Sequence, residues 1–279
     1  MSNPISEPVV SGVISDDPDD IVNIESTPQG VVTVTINRPD RRNAFHASTI
    51  AALLDAFETL HAADNLRVVF LRGAGNTFSA GADLDWMRAA VDWTEDDNRK
   101  DAMGLAKMLK ALADIEVPTV ALVEGAAMGG GAGLVAVCDM AVATAGARFA
   151  FSEVKLGLIP ATIGPYVVRA IGPRHATALF ATGKLFDAAH AERIGLVTEV
   201  VADAAALDAA KERITAEVMA AAPGAAVEAI KLVADIAGKP INHDLMEDTA
   251  RRIARRRVGE EGQEGVRAFL DKRKPNWAV

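Results

Sequence analysis

The sequence predicts an α/β fold, because short β-branched segments alternate with helical segments up to about residue 187. The run VVTVTIN at residues 31–37 and the run RVVFLR at 67–72 have the composition and the boundaries of strands. Between them, residues 48–62 place apolar side chains at three- and four-residue spacings, which is the period of an amphipathic helix. The order strand, helix, strand is typical of a sheet that is covered by helices.

The following segments continue this alternation. A helix is predicted at 97–113 and a strand at 119–123. A helix that begins in a glycine-rich turn then leads into a strand at 139–144. This continued alternation again favours an α/β fold.

Beyond about residue 187 the sequence predicts helices only, with Pro223 and Pro240 as breaks. The four predicted helices are at 204–221, 225–237, 243–256 and 261–272. We therefore divide the chain into three parts. These are an acidic, disordered tail at 1–20, a core at 21–200 and a C-terminal helical region at 201–279.

The charge balance argues against nucleic acids as partners. The 279 residues include 38 acidic and 29 basic side chains, a net charge of -9, and the resulting field repels phosphate backbones. No uncharged run reaches the roughly 20 residues of a membrane helix, and residues 1–20 lack a signal-peptide pattern. The single cysteine, Cys138, forms no intramolecular disulfide, which suits a reducing compartment. We predict a cytoplasmic protein with no membrane span and no nucleic-acid partner.

Two glycine-bearing turns are candidates for a binding site. They are FSAGADL at 78–84 and GAAMGGGAG at 125–133, and each follows a predicted strand. Small residues let a ligand approach main-chain N–H groups, which lack acceptors where a turn begins a helix. Such paired amides form an oxyanion hole, but the same pattern also serves close packing of a helix on a strand.

Glu153 is the most informative carboxylate, because it lies between two apolar segments. Beside an apolar cavity its pKa would be raised toward acid/base work, whereas on the surface it would pair with Lys155. Trp86 and Met87 are either packing residues or walls of an apolar pocket. The five histidines show no metal-ligand spacing, so no metal site is predicted.

Five motifs occur in order along the chain. They are INRP at 36–39 with NAF at 43–45, FSAGADL at 78–84, GGG at 129–131 with CD at 138–139, SEVKLGL at 152–158 with Pro160, and EG at 264–265 with FLDKRKPNW at 269–277. Together they resemble the enoyl-CoA hydratase/isomerase (crotonase) superfamily, from about residue 21 to the end of the chain.

This resemblance implies a fold and an assembly. The expected fold is a crotonase-like spiral of ββα units at 21–200, followed by a helical region at 201–279 that is expected to mediate trimerisation. The expected assembly is a homotrimer, or a hexamer made of two trimers. The substrates are acyl-CoA thioesters, so that coenzyme A enters as part of the substrate, and no metal or other cofactor is implied.

The resemblance also implies roles for individual residues. The main-chain N–H groups of Ala82 and Gly130 would bind the thioester oxygen and stabilise an enolate, and Glu153 would act as the acid/base. The residues predicted to bind the acyl chain or coenzyme A are Ala80, Asp83, Leu84, Trp86, Met87, Gly133, Pro160, Ile163, Arg41 and Lys272. Arg41, or its neighbour Arg42, and Lys272, with Lys274, are candidates for the phosphates of coenzyme A.

Gly133 departs from the family pattern, because hydratases of the family usually have a second glutamate at this position. Glu153 alone would then activate water and return its proton to C2. The segments 82–87 and 160–172 look like those of bacterial methylglutaconyl-CoA hydratases, which predicts a hydratase of a branched 2-enoyl-CoA. The alternatives are a Δ3,Δ2-enoyl-CoA isomerase that uses the single glutamate, and a catalytically inactive paralogue. A non-catalytic, RNA-associated member is opposed by the alternating charges around 92–110.

Overall fold

The structure is a computed structural model that describes residues 20–278. The acidic tail predicted at 1–20 lies outside the described residues, except for Asp20. The strands of the described part are β1 (Val22–Ser26), β2 (Val31–Ile36), β3 (Val68–Gly73), β4 (Thr119–Val123), β5 (Ala126–Met128), β6 (Met140–Thr144), β7 (Arg148–Ala150), β8 (Phe186–Asp187) and β9 (Glu199–Val201).

These strands form two sheets. The larger sheet has the order β1-β2-β3-β4-β6-β9, in which β1 is antiparallel to β2 and every other pair is parallel. The smaller sheet has the order β5-β7-β8, with β5 parallel to β7 and β7 antiparallel to β8. The chain therefore passes from one sheet to the other between β4 and β5, where the glycine-rich turn begins.

Ten α-helices occur in the described residues. They are α1 (Ala47–His61), α2 (Leu84–Ala89), α3 (Glu95–Ala113), α4 (Gly130–Val137), α5 (Gly164–Thr182), α6 (Ala188–Arg193), α7 (Ala204–Ala220), α8 (Pro223–Ile236), α9 (His243–Val258) and α10 (Glu260–Leu270). Short 3-10 turns lie at Pro39–Arg41, Ala90–Asp92 and Glu153–Leu156. The α/β fold class is confirmed, and the predicted helices and strands agree with α1, α3, α7 to α10, β2, β3, β4 and β6 to within a residue or two.

The central strands are buried on both faces, which explains their continuous apolar character. On β3, Val69 and Leu71 belong to the main core together with α1 and α3. The alternate residues Val68 and Phe70 face a second cluster, which includes Leu207 of α7. This alternation follows from the two-residue period of a strand.

The structure differs from the sequence-based expectation at two places. The expectation of helices only beyond residue 187 is wrong at β9, which pairs with β6 but is too short to show a period. In addition, α7 packs on the sheet through Leu207, Ala210 and Ile214, although it lies beyond the predicted division at 200. That division itself stays a prediction.

Helix α5 was not predicted, because its sequence contains residues that interrupt helices. Pro165 lies in its first turn, where a missing N–H costs nothing, and Pro173 follows Gly172, whose φ of 73° and ψ of 160° are not helical. The element is therefore two helical pieces joined at Gly172.

The last three helices expose apolar side chains. Neither α8 nor α9 has a buried residue, and α10 buries only Ala268. Their exposed apolar residues, with the loop between α8 and α9, are Val233, Ile241, Met246, Ile253, Val258, Val266, Phe269 and Leu270. Arg252 and Arg256 of α9 form ion pairs with Asp235 and Glu261.

No helix in the described residues is both long enough and apolar enough to cross a bilayer. Nor do the described residues bring together three or more His, Cys, Asp or Glu side chains in a group that could hold a metal ion. Cys138 is partly buried, and burial raises the pKa of its thiol far above the ordinary value.

Candidate active site

A parallel contact between two segments brings the glycine-bearing turns together. The N–H of Ser79 donates to the carbonyl of Ala126 at 2.9 Å, and the N–H of Met128 donates to the carbonyl of Ser79 at 2.9 Å. Because the segments run in the same direction, their next residues also lie side by side. Ala82 on one segment and Gly130 on the other line a single cavity.

The main-chain N–H groups of Ala82 and Gly130 are available to a ligand. The chain pairs with Phe45 through the carbonyl of Gly81 and the N–H of Asp83, so the N–H of Ala82 is not used. Gly130 is the first residue of α4, where N–H groups have no acceptor one turn earlier. In the described part of the chain, neither amide donates a hydrogen bond.

Glycine is required at the start of α4 because other groups approach the backbone closely. A Cβ at Gly130 would lie 2.8 Å from Cε2 of Phe45. Gly129 has a φ of 50°, and a Cβ there would lie 3.3 Å from Oε1 of Glu153. The carboxyl of Glu153 therefore lies against the start of α4, next to Gly130.

Glu153 begins the 3-10 turn that follows β7, and its side chain is half-buried in the wall of the cavity. Its Oε2 is buried and has no hydrogen-bond partner among the described residues. Burial raises the pKa of Glu153, although a backbone hydrogen bond opposes this. The alternative of a surface pair is not observed, since no ion pair joins Glu153 to Lys155 in the described structure. Such a carboxyl is suited to proton transfer.

The cavity has a volume of 360 Å³ and a mainly apolar lining. Of the residues predicted from the sequence, eight contribute to it: Ala80, Ala82, Trp86, Met87, Gly130, Glu153, Pro160 and Ile163. The structure thus brings the two free amides and the one candidate base to the same apolar cavity, as an oxyanion hole with an acid/base would require.

Five other predicted residues lie outside this lining. Asp83 is buried, where its carboxylate caps α2 by accepting from the N–H of Asp85 at 2.9 Å and pairs with Arg38 at 3.0 Å. Burial raises the pKa of Asp83, but these two partners lower it on balance. Asp83 therefore positions the turn rather than contacting the cavity.

Three more of the five are Leu84, Arg41 and Lys272. The side chain of Leu84 is exposed, and the exposed side chain of Arg41 pairs with Asp85 at 3.5 Å. Lys272 follows α10 at a positive φ of 54° and is exposed. Their predicted contacts with the substrate stay predictions.

Gly133 also lies outside the lining, one turn into α4. A Cβ at this position would lie 2.3 Å from Cγ2 of Ile163, and Ile163 does line the cavity. The side chain of Ile163 therefore fills the space in which a larger residue at position 133 would begin. Gly133 shapes the cavity through Ile163, and its predicted contact with the substrate stays a prediction.

Asp101 is a cavity residue that the sequence analysis missed. It lies on α3, and its Oδ1 accepts a hydrogen bond from Nε1 of Trp86 at 3.1 Å. Burial raises the pKa of Asp101, and the bond from Trp86 lowers it in part. The sequence offered one signal: Asp101 is four residues before Leu105, which also lines the cavity, so the two share a helix face.

Comparison with known proteins places this chain among enzymes of acyl-CoA metabolism. The profile of the family described as enoyl-CoA hydratase/isomerase matches residues 26–279. A protein of Thermus thermophilus, named as a candidate enoyl-CoA hydratase, is 35% identical over 263 residues, which are 88% of this chain and 97% of that protein. A mevalonyl-coenzyme A hydratase of Aspergillus fumigatus is 33% identical over 253 residues, covering 88% of this chain and 91% of that protein.

The solved structures agree. A structure from Legionella pneumophila, described as a candidate enoyl CoA hydratase/isomerase (crotonase), is 42% identical, with a TM-score of 0.88. The match covers 92% of this chain and 98% of that one. This similarity confirms the crotonase fold that the motifs predicted.

Proposed function

Because the chain belongs to the enoyl-CoA hydratase/isomerase family, we propose that it is an enoyl-CoA hydratase, which adds water across the 2,3 double bond of a branched acyl-CoA thioester. The observation that carries this proposal is the unpartnered, buried Oε2 of Glu153 in the same cavity as the free amides of Ala82 and Gly130.

The proposed reaction begins when the thioester oxygen accepts hydrogen bonds from Ala82 and Gly130. The carboxylate of Glu153 takes a proton from water as the water oxygen bonds to C3, and the electron pair of the double bond moves onto the thioester oxygen as an enolate. The two amides stabilise that charge in a largely apolar site. Glu153 then returns its proton to C2, so that one water is added and no cofactor is consumed.

A branched acyl chain is supported by two features. Ile163 and Pro160 shape the apolar lining beside Glu153, and the Aspergillus fumigatus relative is named for mevalonyl, a branched acyl group. The finer expectation of a methylglutaconyl-like chain stays a prediction. A methylglutaconyl chain ends in a carboxylate, and the described residues that line the cavity include no lysine, arginine or histidine that could pair with it.

A loss of the absorbance of the conjugated thioester, measured with purified protein and branched 2-enoyl-CoA, tests the proposal. Glu153→Gln is expected to abolish turnover while an unreactive acyl-CoA still binds. Unchanged turnover in this variant would refute the role of Glu153. Binding of acyl-CoA without turnover in the unsubstituted protein would indicate an inactive paralogue.

A Δ3,Δ2-enoyl-CoA isomerase is the second candidate, favoured by the contact of Ile163 with Gly133. This contact leaves no room for a second carboxylate that would help to hold water, and an isomerase needs only one base to move a proton between C4 and C2. Formation of a conjugated thioester from a 3-enoyl-CoA, without water uptake, would identify this activity.

We also propose a homotrimer, or a hexamer of two trimers, in which the exposed apolar residues of α8 to α10 are covered. Exposed apolar groups of this kind are typical of subunit contacts. We further propose that the protein is cytoplasmic and has no nucleic-acid partner. The charge and composition of the chain support both parts of this proposal.

A further inference from the structure

The cavity has an unusual charge composition for a site that binds an anionic coenzyme ester. Its lining contains two ionisable side chains, Asp101 and Glu153, and the described residues contribute no cation to it. Glu153 has a role in the proposed reaction. Asp101 has none, yet a carboxyl in an apolar wall carries a desolvation cost and needs an explanation.

Trp86 holds Asp101 in one orientation. The indole Nε1 can only donate, and it occupies Oδ1 of Asp101 at 3.1 Å. The other carboxyl oxygen, Oδ2, has no hydrogen-bond partner among the described residues, and no ion pair to Asp101 occurs there. Trp86 and Asp101 are on α2 and α3, so together these helices present one fixed acceptor at the cavity wall.

We propose that Asp101 determines which acyl tail the cavity takes: it accepts a hydrogen bond from a hydroxyl group on the tail and rejects a tail that ends in a carboxylate. This inference rests on the proposed function, because it names the substrate class of the same site, a hydroxylated and branched 2-enoyl-CoA.

The rejection follows from electrostatics. A terminal carboxylate would meet Asp101 in a half-buried site in which the described residues supply no counter-charge, and like charges in such a site repel strongly. A hydroxyl carries no charge and donates one hydrogen bond, which the free Oδ2 of Asp101 can accept. Burial also raises the pKa of Asp101, as expected for a carboxyl without a cationic partner.

Two saturated, unreactive thioesters with the same branched skeleton test the proposal by calorimetry on the full chain. One is 5-hydroxy-3-methylpentanoyl-CoA, and the other is 3-methylglutaryl-CoA, which ends in a carboxylate. We expect the unsubstituted protein to bind the hydroxyl ester at least about tenfold more tightly. Asp101→Asn, which keeps an acceptor for Trp86 but removes the charge, is expected to reduce this ratio to about threefold or less.

Asp96→Asn is the matched control. It removes the same charge from the same helix, but Asp96 is exposed, lies outside the cavity lining and pairs with Arg99 and Lys100. Its affinity ratio should equal that of the unsubstituted protein. Trp86→Phe keeps an aromatic ring but removes the hydrogen-bond donor to Asp101. We expect it to weaken the binding of the hydroxyl ester more than the binding of free coenzyme A.

The outcomes are distinguishable. The inference would be overturned if the unsubstituted protein bound the carboxylate ester as tightly as the hydroxyl ester, or more tightly. It would also be overturned if Asp101→Asn left the affinity ratio unchanged, or if Asp96→Asn changed that ratio as much as Asp101→Asn does. If Asp101→Asn fails to fold, the ratio of the two affinities in the unsubstituted protein tests the inference. The binding measurement needs no turnover, so it is independent of the proposed reaction. If the protein shows the predicted affinity ratio but does not hydrate the matching 2-enoyl esters, the proposed function is contradicted and the inference about Asp101 is not.

Discussion

At the scale of single residues, Glu153 illustrates how burial changes chemistry. Its carboxyl is half-buried and one of its oxygens has no partner, so burial raises its pKa above the ordinary value. A folded-state pKa above the ordinary value means that the protonated form stabilises the fold. This contribution is present below the unfolded-state pKa and is lost as the pH rises through the folded-state pKa. The proposed reaction, in contrast, begins with the carboxylate.

The pH dependence of kcat/KM follows from this. We expect activity to fall as the pH decreases through the raised pKa of Glu153, so that the acidic limb lies above the ordinary glutamate value of 4.5. A pH profile on a branched 2-enoyl-CoA measures it, with Glu153→Gln inactive throughout. An acidic limb at or below 4.5 would contradict the assignment.

The contact between Gly133 and Ile163 is also a residue-scale effect. Alanine usually stabilises a helix relative to glycine, but a Cβ at Gly133 would overlap Cγ2 of Ile163. We expect Gly133→Ala to lower the free energy of unfolding by about 1–3 kcal/mol, as overpacking does. Urea denaturation measures this change.

Gly104→Ala is the control, since its Cβ would meet only Cγ2 of Ile50, at 3.9 Å, and we expect no loss. Combining Gly133→Ala with Ile163→Ala should destabilise by less than the sum of the two single changes. Additive effects would show that the two side chains do not compete for the same space.

At the scale of elements, the short helix α2 depends on Asp83. Its carboxylate caps the helix and pairs with Arg38, which ties α2 to the end of β2. This junction holds Trp86 in the cavity wall. A short helix with no buried residue of its own has little else to position it.

Asp83→Ala is therefore expected to lower the free energy of unfolding by about 2–4 kcal/mol, because it removes the cap and leaves Arg38 unpaired. Asp83→Asn, whose side chain can still cap α2, should lower the free energy of unfolding by clearly less than Asp83→Ala does. Chemical denaturation of both variants tests this. Equal losses would show that the cap contributes little.

At the scale of the whole molecule, the sheet and its covering helices are fully packed, whereas the C-terminal helices are not. Phe269 is 83% exposed and Leu270 is 70% exposed, next to Val266 on α10. These large, exposed apolar side chains on one helix support the proposed contact with another subunit.

We expect Phe269→Asp to shift the assembly toward the monomer, because the substitution places a charge in an apolar contact. Phe269→Leu keeps the surface apolar and should keep the assembly. Light scattering after gel filtration measures the mass of each. A monomer in the unsubstituted protein would refute the proposed trimer or hexamer.

Neighbouring residues alone predict the strands β2, β3, β4 and β6, most helices and the family motifs, because each of these depends on a local period, a cap or a turn. It also identified Glu153 and the turns that hold Ala82 and Gly130. How these segments meet in one cavity depends on the packing of separate elements.

The tertiary structure joined segments that are far apart in the chain. It paired Ser79 with Ala127, placed Ile163 against Gly133 and held Asp101 with Trp86. No local pattern encodes these contacts, since each depends on the packing of separate elements. The short strands and the kinked α5 escaped prediction for the same reason, because pairing and burial rather than periodicity hold them in place.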